Sequence, residues 1–280
     1  MVEIGKLNRL KILKEVDFGV YLDGDWLGEI LLPKKYVPQN CKPDDMIEVF
    51  VYFDSEDRPI ATTEKPIAMV GEFAFLKVVS VSSFGAFLDW DLPKDLLVPF
   101  REQKNKMKEG YSYLVYIYVD DETDRIVASS KLDKFFSKIP ASLKPDEMVN
   151  LIIQEKTDLG YNAIINNSYQ GLLYDSEIFQ NLKPGLKIKG YIKKIRDDGK
   201  IDLTLNKPGF GKVDELSQII LDKLKENDGL ISIGDKSDPQ LIYKLFGVSK
   251  KTYKKAIGTL FKKRLITIDE SGIRLSRNKN

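Results

Sequence analysis

Phe84-Gly85-Ala86-Phe87-Leu88 decides the reading of this chain, because altered copies of it and of its surroundings lie on both sides. Phe18-Gly19-Val20-Tyr21-Leu22 precedes it by 66 residues, and the weaker Leu159-Gly160-Tyr161-Asn162-Ala163 follows it by 75. Landmarks that share no residue with the motif keep the same register, which separates a repeat from a chance likeness. Leu31-Leu32-Pro33, Leu97-Val98-Pro99 and Leu172-Leu173-Tyr174 stand at offsets of 66 and 75, as do the turns Lys42-Pro43-Asp44, Lys108-Glu109-Gly110 and Lys183-Pro184-Gly185. A basic residue opening an alternating run recurs at Arg58, Arg125 and Lys200, with offsets of 67 and 75. Three copies imply three similar modules.

Each copy reads as five short strands. In the second they are Phe73 to Val81, Ala86 to Trp90, Leu96 to Pro99, Tyr113 to Val119 and Ile126 to Ser129. A glycine marks an early bend, and a longer connection separates strands three and four, which describes an OB-type barrel. In the first copy Met46 to Phe53 is expected as a strand with alternating faces. Leu132, Phe135, Phe136 and Ile139 recur at helical spacing before Pro140 and predict a short helical linker. After Gly209 the period changes to 3.6: helix from Val213, strand at Leu230, helix from Gln240 behind Asp238-Pro239, tight turn at Gly247, helix Lys250 to Lys263 capped by Ser249, then a hairpin. That order is a winged helix. The expected fold class is mainly β, with three tandem five-stranded OB-type barrels and an α/β winged-helix domain. The expected domains are residues 1–66, 67–135, 136–208 (linker and third barrel) and 209–280.

Composition narrows the chemistry. A chain of 280 residues is long enough for several modest cores. One cysteine, Cys41, excludes an intramolecular disulfide and any zinc site built on several thiolates. The absence of histidine removes the commonest general base and the imidazole ligands. No apolar run approaches the roughly 20 residues of a membrane span, and the first residues carry no targeting core, so the cytoplasm is the expected location. Residues 209–280 hold 15 Lys+Arg against 9 Asp+Glu, a net +6, while the remainder holds 29 against 33, a net −4. The tail attracts polyanions.

Candidate ligand residues follow from these placements. Phe84 and Phe87, with Trp90 nearby, and Phe18 and Tyr21, with Trp26 nearby, are positioned to stack single-stranded bases, and Arg58, Arg101 and Arg125 to meet phosphates. The rival reading is that these rings are core; Phe87 and Leu88 are adjacent on a strand, so only one of them faces inward. In the last helix Tyr253, Ala256, Ile257, Leu260 and Phe261 form the expected buried stripe, leaving Lys250, Lys251, Lys254 and Lys255 outside. Four lysines early in a recognition helix suit a phosphate backbone, although such helices are often merely solvated. No Arg, Asn or Gln joins them, so the usual readers of base edges are missing. The acidic clusters Asp54 to Asp57, Asp120 to Asp124 and Asp197-Asp198 all fall at one hairpin tip, where Asp is turn chemistry rather than a metal cage.

Phe84-Gly85-Ala86-Phe87-Leu88 with Leu96-Leu97-Val98-Pro99 resembles the signature of the RNA-binding barrel of ribosomal protein S-one. That family usually carries His where Pro99 stands. Three such barrels followed by a winged helix resemble the conserved virulence factor B family of bacterial RNA-binding regulators over nearly the whole chain. The resemblance implies RNA binding by barrels and winged helix, effects on gene expression, and no catalysis. The expected partner is single-stranded RNA, with duplex nucleic acid as an alternative ligand of the winged helix. No cofactor, metal or membrane contact is expected, and a monomer is favoured. The rivals are a transcription factor on double-stranded DNA, a protein-binding adaptor and, last, a metal-dependent nuclease.

Overall fold

The computed structural model describes residues 1–138, 143–178, 181–205, 212–269 and 271–276. The chain divides into two compact units, Met1–Ser137 and Lys138–Asn280. The first unit holds two closed barrels. One is built from β1 (Leu7–Val16), β2 (Gly19–Asp23), β3 (Glu29–Pro33), β4 (Met46–Phe53) and β5 (Pro59–Thr62); the other from β6 (Phe73–Val81), β7 (Gly85–Asp89), β8 (Leu96–Pro99), β9 (Ser112–Val119) and β10 (Ile126–Ser129). The second unit holds the third barrel, β11 (Met148–Thr157), β12 (Gly160–Ile165), β13 (Tyr169–Tyr174), β14 (Lys187–Ile195) and β15 (Ile201–Thr204).

All three barrels share one topology. The third strand pairs in parallel with the fifth, and the first strand closes the barrel on the fourth. A bulge falls at the same place in each first strand, between Ile12 and Lys14, Val78 and Ser80, and Ile153 and Glu155. An extra residue there bends the strand sharply enough to close a small barrel. A single 3-10 turn follows each third strand, at Lys34–Tyr36, Phe100–Glu102 and Asp175–Glu177. The repeat in the sequence is thus a repeat in space.

β4 departs from the expected alternation, because it is buried on both faces. Val49 and Val51 line the first barrel, while Phe50 and Tyr52 belong to the core of the second, with Trp90, Leu88, Leu92 and Val98. Burial pushes the Tyr52 hydroxyl up to about 12. The run Val49-Phe50-Val51-Tyr52-Phe53 is continuously apolar for this reason: the second barrel covers what would otherwise be its wet face. Val70 N donates to Gly5 O at 3.0 Å, and Arg125 pairs with Asp57 across the same junction. Trp90 is therefore core and not a stacking platform. It is 3% exposed, meets Phe50 edge-on at 5.7 Å and donates from Nε1 to Lys94 O at 2.6 Å.

The expected helical linker is a 3-10 turn at Leu132–Phe135; Ile139 and Pro140 lie outside the described residues. Its apolar spacing reflects docking on the barrel. Phe135 stacks on Tyr116 at 4.1 Å and Phe136 on Phe73 at 5.2 Å.

The winged domain comprises α1 (Lys212–Glu226), β16 (Leu230–Ile231), α2 (Pro239–Phe246), α3 (Lys250–Lys262), β17 (Ile266–Asp269) and β18 (Gly272–Leu275), with the strands ordered β16-β18-β17. Residues 206–211, between the third barrel and α1, lie outside the described residues. Asp238 caps α2 by accepting from Gln240 N at 2.6 Å, with Pro239 in the first turn. Gly247, at φ 66°, makes the left-handed turn, and Ser249 Oγ accepts from Thr252 N at 3.2 Å to start α3. Leu216, Ile220, Leu224, Ile242, Tyr253, Ala256, Ile257 and Leu260 form the core. Two apolar helix residues, one of them Phe261 of the expected buried stripe, lie outside it. Ile219 is 43% exposed, being about 100° round α1 from Ile220, and Phe261 is 52% exposed, about 80° round α3 from Tyr253 and about 140° from Ala256.

Candidate nucleic-acid interface

The bend glycine of each motif fixes where its neighbour points. Gly19, Gly85 and Gly160 have φ of +156°, +157° and +151°, and a Cβ on them would lie 2.2, 2.2 and 1.9 Å from the carbonyl oxygens of Leu32, Val98 and Leu173. Only glycine fits so close to a facing strand. The preceding residue is consequently turned into solvent: Phe18 is 57% exposed, Phe84 73% and Leu159 63%. Its carbonyl is held by Lys34 N at 2.9 Å, Phe100 N at 3.4 Å and Asp175 N at 3.1 Å, respectively.

Around these tips the first two barrels present an outward phenylalanine, whereas the third presents Leu159 there and keeps a half-buried ring at Tyr161, with Lys156 Nζ 5.7 Å from its centroid. Phe87 and Tyr21 are half-buried while Leu88 and Leu22 are inside, as the strand geometry requires. Phe18 meets Tyr21 edge-on at 6.3 Å, and Lys14 Nζ stands 4.9 Å above the Tyr21 ring. Trp26 is 60% exposed. Phe100, which the sequence reading passed over, is 43% exposed and hydrogen-bonded through its backbone to Phe84. An aromatic directly behind Leu97-Val98-Pro99, at the start of the turn that contacts the motif, was the available clue.

The arginines are placed near carboxylates. Arg101 binds Asp120 at 2.7 Å and Glu122 at 3.1 Å; Arg58 binds Asp54 through Nε and Nη2 at 2.9 and 2.8 Å; Arg125 binds Asp57. The Arg58 and Arg125 pairs are solvent-exposed on the arginine side. Such pairs are typically worth about 0–1 kcal/mol, so exchanging a carboxylate for a phosphate there costs little, whereas Arg101 is held by a carboxylate that is itself buried. The hairpin-tip acids thereby acquire a role as turn formers and ion-pair partners. Asp57 and Asp124 sit at positive φ, and among the described residues no cluster suits a metal.

Asp120 is the buried anchor of this group. Its carboxylate accepts from Thr123 N, Thr123 Oγ1 and Arg101 Nη2 at 3.1, 3.0 and 2.7 Å. Burial alone pushes its pKa up, but the hydrogen bonds from Thr123 and Arg101 outweigh that and hold it below the usual carboxylate range. A depressed folded-state pKa gives stability that is present above the unfolded value, near ~4, and is lost as pH falls through the folded value. Asp120→Asn should therefore flatten the acid limb of a pH-dependent unfolding profile below about pH 4. An acid limb identical to wild type would remove Asp120 as its source.

On the winged domain, α3 carries the expected lysines on its outer side. Lys254 Nζ lies 3.6 Å from Asp235, and Lys250 Nζ donates to Lys236 O at 3.2 Å. Lys251 and Lys255 are exposed and have no carboxylate partner among the described residues. Net charge rises along the chain: 9 Lys+Arg against 13 Asp+Glu in residues 1–66 (−4), 9 against 11 in 67–135 (−2), 11 against 9 in 136–208 (+2), and +6 thereafter.

Family models match the first two barrels and the winged domain. The S1 domain family matches residues 4–64 and 70–131, and the CvfB-like winged helix domain matches residues 218–275. The chain is similar to conserved virulence factor B of Staphylococcus epidermidis, 27% identical over 236 residues covering 81% of this chain and 79% of that protein. It is likewise 27% identical to conserved virulence factor B of Staphylococcus aureus over 252 residues, covering 84% and 82%. Among solved structures, a multidomain protein with nucleic acid binding domains from Streptococcus pneumoniae covers 97% of this chain and 98% of its own at 24% identity and a TM-score of 0.43. No described helix is long and apolar enough to cross a membrane.

Proposed function

Because the chain belongs to the conserved virulence factor B family, we propose that it is an RNA-binding regulator that holds single strands over several weak sites. The observation that carries this reading is the pair of exposed rings, Phe84 and Phe18, each aimed outward by a glycine that no other residue can replace. Leaving a Phe side chain in water forgoes about 1.5–3 kcal/mol of burial, and a base plane supplies the missing contact. A duplex keeps its bases stacked on one another, whereas an unpaired strand offers them freely.

The charge gradient supports a division of labour. The acidic first barrels repel phosphates at long range and contribute short-range stacking, while the basic tail provides attraction. Tethering makes the second contact effectively intramolecular, so modest sites add up to useful affinity. RNA is favoured over DNA by the family, and regulation of gene expression is the corresponding role.

The test is a competition titration with the full chain. Single-stranded oligoribonucleotide should displace a bound labelled strand far better than duplex DNA of equal length, and Phe84→Ala should weaken single-strand binding by about 1–3 kcal/mol. Preferential displacement by the duplex would instead favour a DNA-binding regulator. Absence of any oligonucleotide binding at low salt would favour the adaptor reading.

A further inference from the structure

We propose that the outer face of α3 carries a seat for one unpaired nucleotide, centred on Gly258, with Phe261 stacking its base and Lys254, Lys255 and Lys262 surrounding its phosphates. The inference rests on the nucleic-acid reading and specifies which ligand this face takes.

Gly258 lies in the interior of α3, where glycine costs about 1 kcal/mol relative to alanine. Its backbone is not in the left-handed region, and a Cβ built on it would meet nothing within 4 Å. Neither backbone conformation nor internal packing asks for glycine here. What remains is the outer surface.

On a helix the nearest surface neighbours of a residue are those three and four positions away. For Gly258 these are Lys254, Lys255, Phe261 and Lys262, three cations and one aromatic ring, all four exposed. Long helical side chains lean toward the N-terminus, so Phe261 reaches back over the turn that contains Gly258. The missing side chain leaves a notch between the ammonium groups and the ring, open to a ligand that approaches close to the helix backbone. A group that combines an anion with a flat π-face a few ångströms away is a nucleotide, and the face is reachable only when the base is unpaired. The lack of Arg, Asn and Gln on this face fits a site that holds any base by its plane and none by its edge.

Three variants of the full chain test the seat against labelled oligoadenylate and oligouridylate and against a duplex. Gly258→Ala should raise the melting temperature of the winged domain by about 1–4 °C and yet weaken single-strand binding about fivefold, a combination that a purely structural glycine does not give. Phe261→Leu, which keeps apolar bulk but removes the ring, should weaken oligoadenylate binding by about 5- to 50-fold, oligouridylate less, and duplex binding not at all. Lys251→Ala, outside the four nearest neighbours, should weaken all three nucleic acids alike through charge alone. Unchanged single-strand binding by Gly258→Ala and Phe261→Leu, with wild type binding normally, overturns the seat and leaves the proposed function standing. Equal losses on single strand and duplex also overturn it, and a wild-type chain that binds no oligonucleotide overturns both.

Discussion

Trp90→Ala is expected to cost about 3–5 kcal/mol and to merge its damage across the first and second barrels, which should unfold together in a single denaturant transition. The side chain is 3% exposed and touches Phe50 of β4, so its loss opens a cavity in a core to which both barrels contribute. It also strands the Lys94 carbonyl, which accepts the indole N–H at 2.6 Å. The matched control is Trp26→Ala, since Trp26 is 60% exposed and should cost far less. Two well-separated transitions in the Trp90 variant, or equal costs at the two tryptophans, would contradict the shared core.

The second large effect is electrostatic. Replacing Lys250, Lys251, Lys254 and Lys255 together by alanine should lower the slope of log K against log salt by up to about 3 for a single strand, and weaken binding at about 0.1 M salt by roughly 10²- to 10³-fold. The helix itself should not suffer. Alanine has the better propensity, and the substitutions remove like-charge pairs at i,i+4. Loss of the Lys254–Asp235 pair, at 3.6 Å, costs little on an exposed surface. A variant that stays folded, by circular dichroism, with the wild-type salt slope would show that phosphates are gripped elsewhere.

Much of this architecture was legible because its determinants are local and periodic. The bend glycines, the hairpin tips and the caps at Asp238 and Ser249 are short-range chemistry, repeated at fixed offsets, and the strands and helices form where that chemistry puts them. What eluded the sequence was what touches what between modules. The alternation expected for β4 ignored five consecutive apolar residues, Val49 to Phe53, whose second face has meaning only once another barrel lies against it. Trp90 lies close to the motif in sequence but on the inner side of that junction. Phe135 and Phe136 suggested a helix by spacing and instead meet Tyr116 and Phe73, a tertiary preference that overrides the local one. On α3 the apolar spacing that correctly buried Tyr253, Ala256, Ile257 and Leu260 also swept in Phe261, which lies at the edge of the stripe and faces out.

The glycine at each barrel's bend has a further consequence for how such a module changes over generations. Two adjacent positions have opposite freedoms: Gly19, Gly85 and Gly160 are held by a facing carbonyl, while the side chains of Phe18, Phe84 and Leu159 are mostly exposed. A duplicated copy can therefore exchange its outward residue, as the third has done, and acquire a new preference or fall silent without endangering the frame that displays it.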